Sequence, residues 1–370
     1  DKDIKKLESI LPQIVDGYCS RSDKPMAEAE TEVTEFIQVL RDASSYAFNY
    51  GHAVSYSMVS YLCAYLRCRY PYEFIVALLN NAANDEDIAN AKALASQLKI
   101  KVLPPKYGTS SATYKFNQDT KEIAKGAADI KYVGAKVATG LYKMAHDGKQ
   151  RTFVDVILDS TNGIRDMNKR RMDALISVGY FSDFGNIAEL SRIYQMVEEF
   201  KYGDTKSYKC DKVGDRLKFI EKYASNLKKD GTPGSSYKFE SKDAVIAFLR
   251  EAEQVILSLG IPDVSFKVKA ENQQEYLGYI DLVTGREEDR RKLYIMDYYE
   301  IMNKWGGKGV WKVRIKTRSI GSGKEASLSL SPLLVQRNPI QKGSVIAVKE
   351  EWLSLDKGQY WVLHKYNVIE

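Results

Sequence analysis

Residues 5 to 20 and 24 to 46 space their apolar side chains as one face of a helix does, with Val33, Phe36, Ile37 and Leu40 three or four apart and acidic residues on the remaining face. Two amphipathic helices are expected there. A third is expected to start near His52 and run through Tyr56, Val59, Leu62, Cys63 and Leu66, until Pro71 stops it and opens the next helix, PYEFIVALLNN. Asn84 or Asp85 supplies the cap for a further helix over 86–98, because a short side-chain oxygen accepts from the free amides of a first turn.

The pattern changes at IKVLPP, a short apolar strand ended by two prolines that cannot continue a ladder. ATYKFNQDTKEIAKG then alternates and turns at Gln118 and Asp119, as a small β-hairpin would. Helical units return from Asp129 to about Glu198: IKYVGAKVATGLYKMA, TFVDVILDS, NKRRMDALISVGYF and NIAELSRIYQMVEEF. Residues 199 to 240 are rich in Lys, Asp, Gly and Ser, with KKDGTPGSS the most linker-like stretch, and read as a domain boundary or surface excursion. Helices are expected again over SKDAVIAFLREAEQVILSLG, with Ser241 as cap, over 271–280 and over 286–303. After KWGGKG the period becomes two, and VWKVRIKT, EASLSLSPLL, GSVIAVKE and QYWVLHKYNVI predict the strands of a small barrel or sandwich.

A length of 370 residues exceeds one ordinary core and predicts several domains. Hydrophobic content of 44% with 28% charged residues is that of a soluble globular chain, and no apolar run reaches the roughly 18 residues of a membrane span. The chain begins at Asp1 rather than Met with no signal-like segment, so it is expected to be a piece of something longer. A net charge of +6 favours an anionic partner such as nucleic acid. Cys19, Cys63, Cys68 and Cys210 form no C-x-x-C pair, so neither a zinc site nor a disulfide framework is expected, and a reducing cytoplasm fits. His52, His146 and His364 lie far apart without a hydrolase signature.

One stretch carries more than periodicity. YAFNYGHAVSYSMVSYLCAYLRCRYPYEFIVALLNN places Phe48, Asn49, His52, Ala53, Tyr56, Ser60, Tyr61, Leu66, Tyr70, Pro71, Glu73 and Phe74 on one long gap-free pattern. That pattern resembles the fingers region of bacterial replicative DNA polymerase III alpha subunits, G-Y-x-F-N-K-S-H-A-x-x-Y-x-x-x-S-Y-x-x-x-x-L-K-x-x-Y-P-x-E-F. The resemblance continues through KIKVLPP, through AADIKYVGAKVATGLYKMAHDGKQRTFVDV beside the family's A-I-K-x-V-G, and through NKRRMDALISVGYFSDFGNIAEL. QQEYLGYI is a weaker echo of E-x-E-x-L-G-x-Y. Residues 28 to 195 match well, and 270 to 370 match in the order of elements only.

The resemblance implies a multidomain, mainly α fold with a small β-hairpin and a C-terminal all-β domain of the oligonucleotide-binding (OB) type. Its expected division is fingers over 1–125, a helix-hairpin-helix region over 126–200, a variable linker or insertion over 201–240, a helical connector over 241–305 and the OB-like domain over 306–370. It implies a DNA-directed DNA polymerase whose metal-holding aspartates sit on a palm that this chain does not contain, which also accounts for the Asp1 start. Mg2+ on that palm, a dNTP substrate, primer-template DNA, a palm-containing portion or subunit and a sliding clamp are the implied cofactor, substrate and partners. The implied setting is the bacterial cytoplasm or nucleoid, away from membranes.

Departures from the pattern matter as much. The family's lysine after Phe-Asn is Tyr50 here and the next serine is Gly51, so one positive charge that would meet a triphosphate is missing. Pro-Pro-Asp has become Pro104-Pro105-Lys106, and LGYIDLVTG lacks the family's histidine and proline. These mark a divergent member, for which a viral source is one origin that fits.

Two-metal transfer needs closely spaced aspartates, and the chain has no P-D-x-D-x-D-like strand. The nearest acidic cluster, Asp85-Glu86-Asp87, falls at an expected helix start, so no catalytic or metal-binding residue is assigned. Asn49, Tyr50 and His52 are the nucleotide-binding candidates, at a helix start whose amides and dipole favour anions. Tyr56, Tyr61 and Tyr65 read as core residues before base-stacking ones, and Arg67 and Arg69 as a solvated face. For DNA, Lys131, Gly134 and Lys136 lie in a glycine-bearing hairpin that can present backbone amides to a phosphate. Its usual first glycine is replaced by Tyr132. Lys169, Arg170 and Arg171 crowd a helix start, where the dipole disfavours cations and a phosphate would offset that cost. Trp311, Arg314, Lys316 and Arg318, with Tyr360 and Trp361, offer the aromatic and basic set that stacks on single-stranded bases, although the tryptophans fit a core equally well. The other function class these residues admit is a catalytically silent DNA-binding or replication-interaction module that kept the fold after losing the lysine at position 50.

Overall fold

The computed structural model describes residues 4–44, 50–228, 230–302, 310–356 and 360–370. It divides into two compact units, residues 1–74 and 75–370.

In the first unit, α1 (Ile4–Cys19) and α2 (Met26–Ser44) form the expected amphipathic pair, closed over Leu11, Val33 and Ile37. Glu32 ties its ends by accepting from Tyr18 Oη at 2.7 Å and pairing with Lys24 at 2.8 Å. The helix α3 (Tyr50–Arg69) follows. Tyr56, Tyr61 and Tyr65 are 64%, 73% and 44% exposed, so their expected burial in a core is corrected. Apolar positions lie all round this helix rather than on one stripe, and no single face can hide them.

The helix α4 (Pro71–Asn80) starts on the expected proline, and its Ile75 and Leu79 are buried. In α5 (Asp85–Gln97) Asn84 is the cap, accepting from the Asp87 amide at 2.9 Å. Three short strands, β1 (Lys101–Leu103), β2 (Lys115–Asn117) and β3 (Glu122–Ala124), make a sheet in the order β1-β3-β2, with β2 and β3 the expected hairpin.

The main core of the second unit gathers α6 (Gly134–Ala145), α7 (Phe153–Gly163), α8 (Lys169–Ser177), α9 (Ile187–Glu199) and, later in the chain, α10 (Lys242–Ser258). Local signals set these helices. Thr152 with Asp155 and Asn186 with Glu189 form reciprocal capping boxes, and Asn168 and Ser241 cap α8 and α10. Replacing Thr152 with alanine is expected to cost about 1 kcal/mol, read as a lower urea midpoint at unchanged m-value.

The described residues of 201 to 240, expected as a variable linker or insertion, form ordered elements. They carry β4 (Ser207–Lys209), β5 (Ala224–Leu227) and β6 (Pro233–Phe239) in a sheet ordered β4-β6-β5. Tyr208, Ile220, Tyr237 and Phe239 enter the main core, with the Tyr208 ring stacked 4.4 Å from that of Phe200. Lysines and glycines between these residues mask a sparse set of aromatics, each of which contributes about 1.5–3 kcal/mol on burial.

After α11 (Phe266–Leu277) the expected helix over 286–303 is corrected: it is β7 (Lys292–Met302). Its KLYIMDYYEIM is rich in tyrosine and isoleucine, which suit a pleated, half-buried surface, while the charged residues before it form a 3-10 turn. With β8 (Val310–Ser319), β9 (Glu325–Leu330), β10 (Val345–Ala347), β11 (Leu353–Asp356), β12 (Tyr360–Leu363) and β13 (Asn367–Val368) it builds one sheet, ordered β11-β12-β9-β8-β7-β10-β13. The end of EASLSLSPLL leaves this sheet as α12 (Pro332–Arg337), because Ser331 caps it and Pro332 cannot donate to a ladder. The core of the sheet holds Ile295, Val313, Ile315, Leu328 and Tyr366, and the architecture is compatible with the expected OB-like domain.

Candidate nucleic-acid interface

The hairpin before α6 draws several expected DNA-binding residues to one place. Tyr132 stands where a glycine was expected, yet its backbone is left-handed, with φ of 75°, as is that of Gly134 at 70°. For a side-chain-bearing residue this conformation costs roughly 1–3 kcal/mol, and its neighbours hold it. The Tyr132 carbonyl accepts from Arg171 Nε at 2.9 Å, and the Lys131 amide donates to the Tyr276 carbonyl at 2.8 Å. The Arg170 guanidinium lies 3.6 Å from the centre of the Tyr132 ring, whose edge meets Tyr276 at 6.3 Å. A hydrogen bond from Lys131, with Arg170 adding to it, draws the Tyr132 phenol below its ordinary pKa.

These contacts sort the basic candidates. Arg171 is half-buried and clamps the loop through the carbonyls of Tyr132 and Asp166. Lys169 pairs with Glu198 at 2.5 Å, which raises its pKa. Lys131, Lys136 and Arg170 are exposed around the start of α6, where Val133 in the cap position offers no side-chain acceptor to the first amides. A helix start without a side-chain cap, beside exposed cations, is electrostatically favourable to an anion. Tyr132, which serves as the platform for Arg170, was noted in the sequence only as a missing glycine. An aromatic directly after Lys131 was its one available signal.

The other candidates lie elsewhere. Asn49 is outside the described residues. Tyr50 heads α3, and the exposed His52 ring sits 4.3 Å from that of Tyr56. Trp311 belongs to β8, but its side chain is outside the described ones. On the same strand Arg314 is exposed opposite Tyr299 of β7, itself 55% exposed, whereas Lys316 pairs with Glu325 at 3.0 Å. Trp361 is 47% exposed. Tyr299 was missed because its segment was read as helix.

No three His, Cys, Asp or Glu side chains converge as a metal site requires among the described residues. Asp87 is engaged at the start of α5, where its carboxylate accepts from the Ala83 amide at 3.1 Å. The described residues therefore offer no cluster that fits a catalytic Mg2+ pair. No helix of the described residues is long and apolar enough to cross a membrane.

No protein-family model matches the chain. Among curated proteins it is similar to DNA polymerase III subunit alpha of Campylobacter jejuni, 29% identical over 189 residues, which are 50% of this chain and 15% of that protein. The same subunit of Mycobacterium tuberculosis is 36% identical over 189 residues, 49% of this chain and 15% of the relative. That of Halalkalibacterium halodurans is 27% identical over 202 residues, 53% of this chain and 18% of the relative. The chain thus spans only about 15% of the length of the first relatives it matches.

Proposed function

Since about half of this chain is related to DNA polymerase III alpha subunits, we propose that it is the DNA-binding and nucleotide-binding portion of a DNA-directed DNA polymerase. The observation that carries the reading is the hairpin before α6, where Lys131, Lys136, Arg170 and free helix-start amides meet within the region of family resemblance. In the reaction the primer hydroxyl attacks the α-phosphate of a dNTP, a new P–O bond forms and pyrophosphate leaves. Mg2+ on a palm outside this chain would supply charge neutralisation there. This chain's own part is to hold primer-template DNA by its phosphates at the hairpin, to offer Arg314, Tyr299 and Trp361 to a single strand, and to meet the incoming triphosphate at the start of α3 with Asn49, Tyr50 and His52. A palm-bearing portion is the required partner, and a sliding clamp is the further one we propose.

A second reading rests on a specific feature: Tyr50 and Gly51 replace the lysine and serine of the family pattern. In it the chain is a catalytically silent module that holds DNA alone.

Primer-template binding by fluorescence anisotropy across a salt series separates the two, with and without the next correct dNTP and with His52→Ala as comparison. The polymerase reading expects affinity to fall as salt rises, with a slope of about −0.9 per phosphate contacted. It further expects tighter binding with the correct nucleotide and loss of that gain in the variant. Binding indifferent to nucleotide and variant would leave the silent module. Absence of binding even at about 50 mM salt would overturn both.

A further inference from the structure

An open groove of about 990 Å³ runs between α6 and the end of α7, on past Arg165. Its floor is aliphatic and narrow: a Cβ added to Gly140 of α6 would stand 2.8 Å from Ile164 Cγ2. Its charged lining is five cations to two carboxylates. Both carboxylates are already engaged, since Arg151, whose side chain is 7% exposed, holds Asp147 at 2.6 Å and Asp159 at 2.7 Å. The Arg151 guanidinium and the Lys149 backbone amide keep the Asp147 carboxyl far below the usual carboxylate range, so it stays charged and committed to that pair. Lys136, Lys143, Lys149 and Arg165 are exposed; the charge of Lys149 acts on Asp147, whose carboxylate also accepts from the Lys149 amide at 3.0 Å, and no ion pair holds the other three among the described residues.

We propose that this groove is a second phosphate-binding track for the backbone of DNA, continuous with the hairpin at the start of α6. The proposal rests on the DNA-binding reading above and extends it to Lys143, Lys149 and Arg165. Lys136 and Lys143 are seven residues apart, which puts them on one face of the helix about 10 Å apart along its axis. At about 3.4 Å of rise per phosphate, that interval spans roughly three phosphates of one strand. Lys136 borders both the hairpin amides and the groove, so a strand held at the first is led into the second. Cations spaced along one helix face, in a groove whose two carboxylates are paired with Arg151, suit a repeating anion. An acidic peptide is the other class of ligand the charge would admit, and it is an outcome of the test.

The test compares three forms of the full chain on a fluorescein-labelled DNA duplex across a salt series, with circular dichroism confirming the fold of each. They are the parent, Lys143→Ala/Lys149→Ala/Arg165→Ala, and the hairpin pair Lys131→Ala/Arg170→Ala. The groove variant is expected to bind at least tenfold more weakly and to lose about 2 to 3 from the magnitude of the salt slope, near 0.9 for each phosphate contact removed. Lys143→Arg/Lys149→Arg/Arg165→Lys, which keeps every charge, is expected to bind as the parent does. A groove variant with parental slope beside a weakened hairpin variant would overturn the track and leave the proposed function standing. Parental slopes in both would overturn the hairpin and groove readings together. A groove variant that loses affinity for a labelled poly-glutamate peptide while keeping that for DNA would assign the groove to an acidic protein instead, and would likewise overturn the proposal.

Discussion

Glu253→Leu is expected to destabilise the second unit by about 4 kcal/mol. Glu253 lies in α10, is 2% exposed, and reaches the start of α7 a hundred residues away in the chain. Its two oxygens accept from the amides of Phe153 at 2.8 Å and Val154 at 3.1 Å, which are among the donors a helix start leaves without an internal partner. A carboxylate there also meets the favourable end of the helix dipole. Leucine fills the space but leaves two buried amides unsatisfied, at roughly 1–3 kcal/mol each, and removes two charge-assisted bonds. Glu253→Gln keeps a single acceptor oxygen and should lose about half as much. Urea unfolding at constant m-value measures both, and a change below about 1 kcal/mol for Glu253→Leu would show that the α7 amides find other partners. Because the far end of α7 lines the basic groove, the same variant should also weaken DNA binding in proportion to the loosening of α7.

The second large effect is a pH dependence. Lys125, just after β3, is 2% exposed and donates to the Tyr279 hydroxyl. Lys92 from α5 lies 3.2 Å from the centre of the same Tyr279 ring and pairs with Asp281 at 3.3 Å. Asp129 and Tyr114 complete the charged and titratable surroundings. Burial pushes the Lys125 ammonium down to about 8, Lys92 adds to that shift, and Asp129 and Asp281 oppose it. Burial also raises the Asp129 carboxyl, so both groups lean toward their neutral forms, as expected where desolvation outweighs the attraction between them. Tyr114 and Tyr279 are raised as well and keep their protons through the window that matters.

The sign follows from proton counting. Below pH 8 the folded and unfolded chains both bind the Lys125 proton, and the charged form carries its full burial penalty. Between about 8 and the ordinary lysine value near 10.4 the unfolded chain binds more protons than the folded one, so this group's contribution to stability rises with pH. The shift corresponds to a gain of order 3 kcal/mol across the window. The measurement is the difference in unfolding free energy between parent and Lys125→Met at pH 7, 8, 9 and 10. That difference should move in the parent's favour as pH rises, and a constant difference would mean that Lys125 is not the group titrating.

Much of this protein is written locally. The capping boxes at Thr152 and Asn186, the caps Asn84, Asn168 and Ser241, the proline opening α4 and the hairpin turning after Asn117 all lie within a few residues of what they organise. Such signals are legible without a fold, because a side-chain oxygen or a fixed φ acts on its own turn. The family resemblance is likewise a property of residues in order. What the residues in order did not show was whatever depended on distant partners. The stretch 292–302 became a strand because β8 and β10 lie on either side of it, and its Tyr294 and Ile295 are buried there. The lysine-rich stretch over 201–240 folded because Phe200 and Phe248 give its aromatics somewhere to go. Tertiary structure alone divided the basic residues into those that clamp, as Arg171 does, those already paired, as Lys169 is, and those left facing solvent beside the hairpin. Sequence by itself determined which residues carry charge and where helices begin; only packing decided which charges were neutralised, since that depends on distances between side chains that lie far apart along the chain.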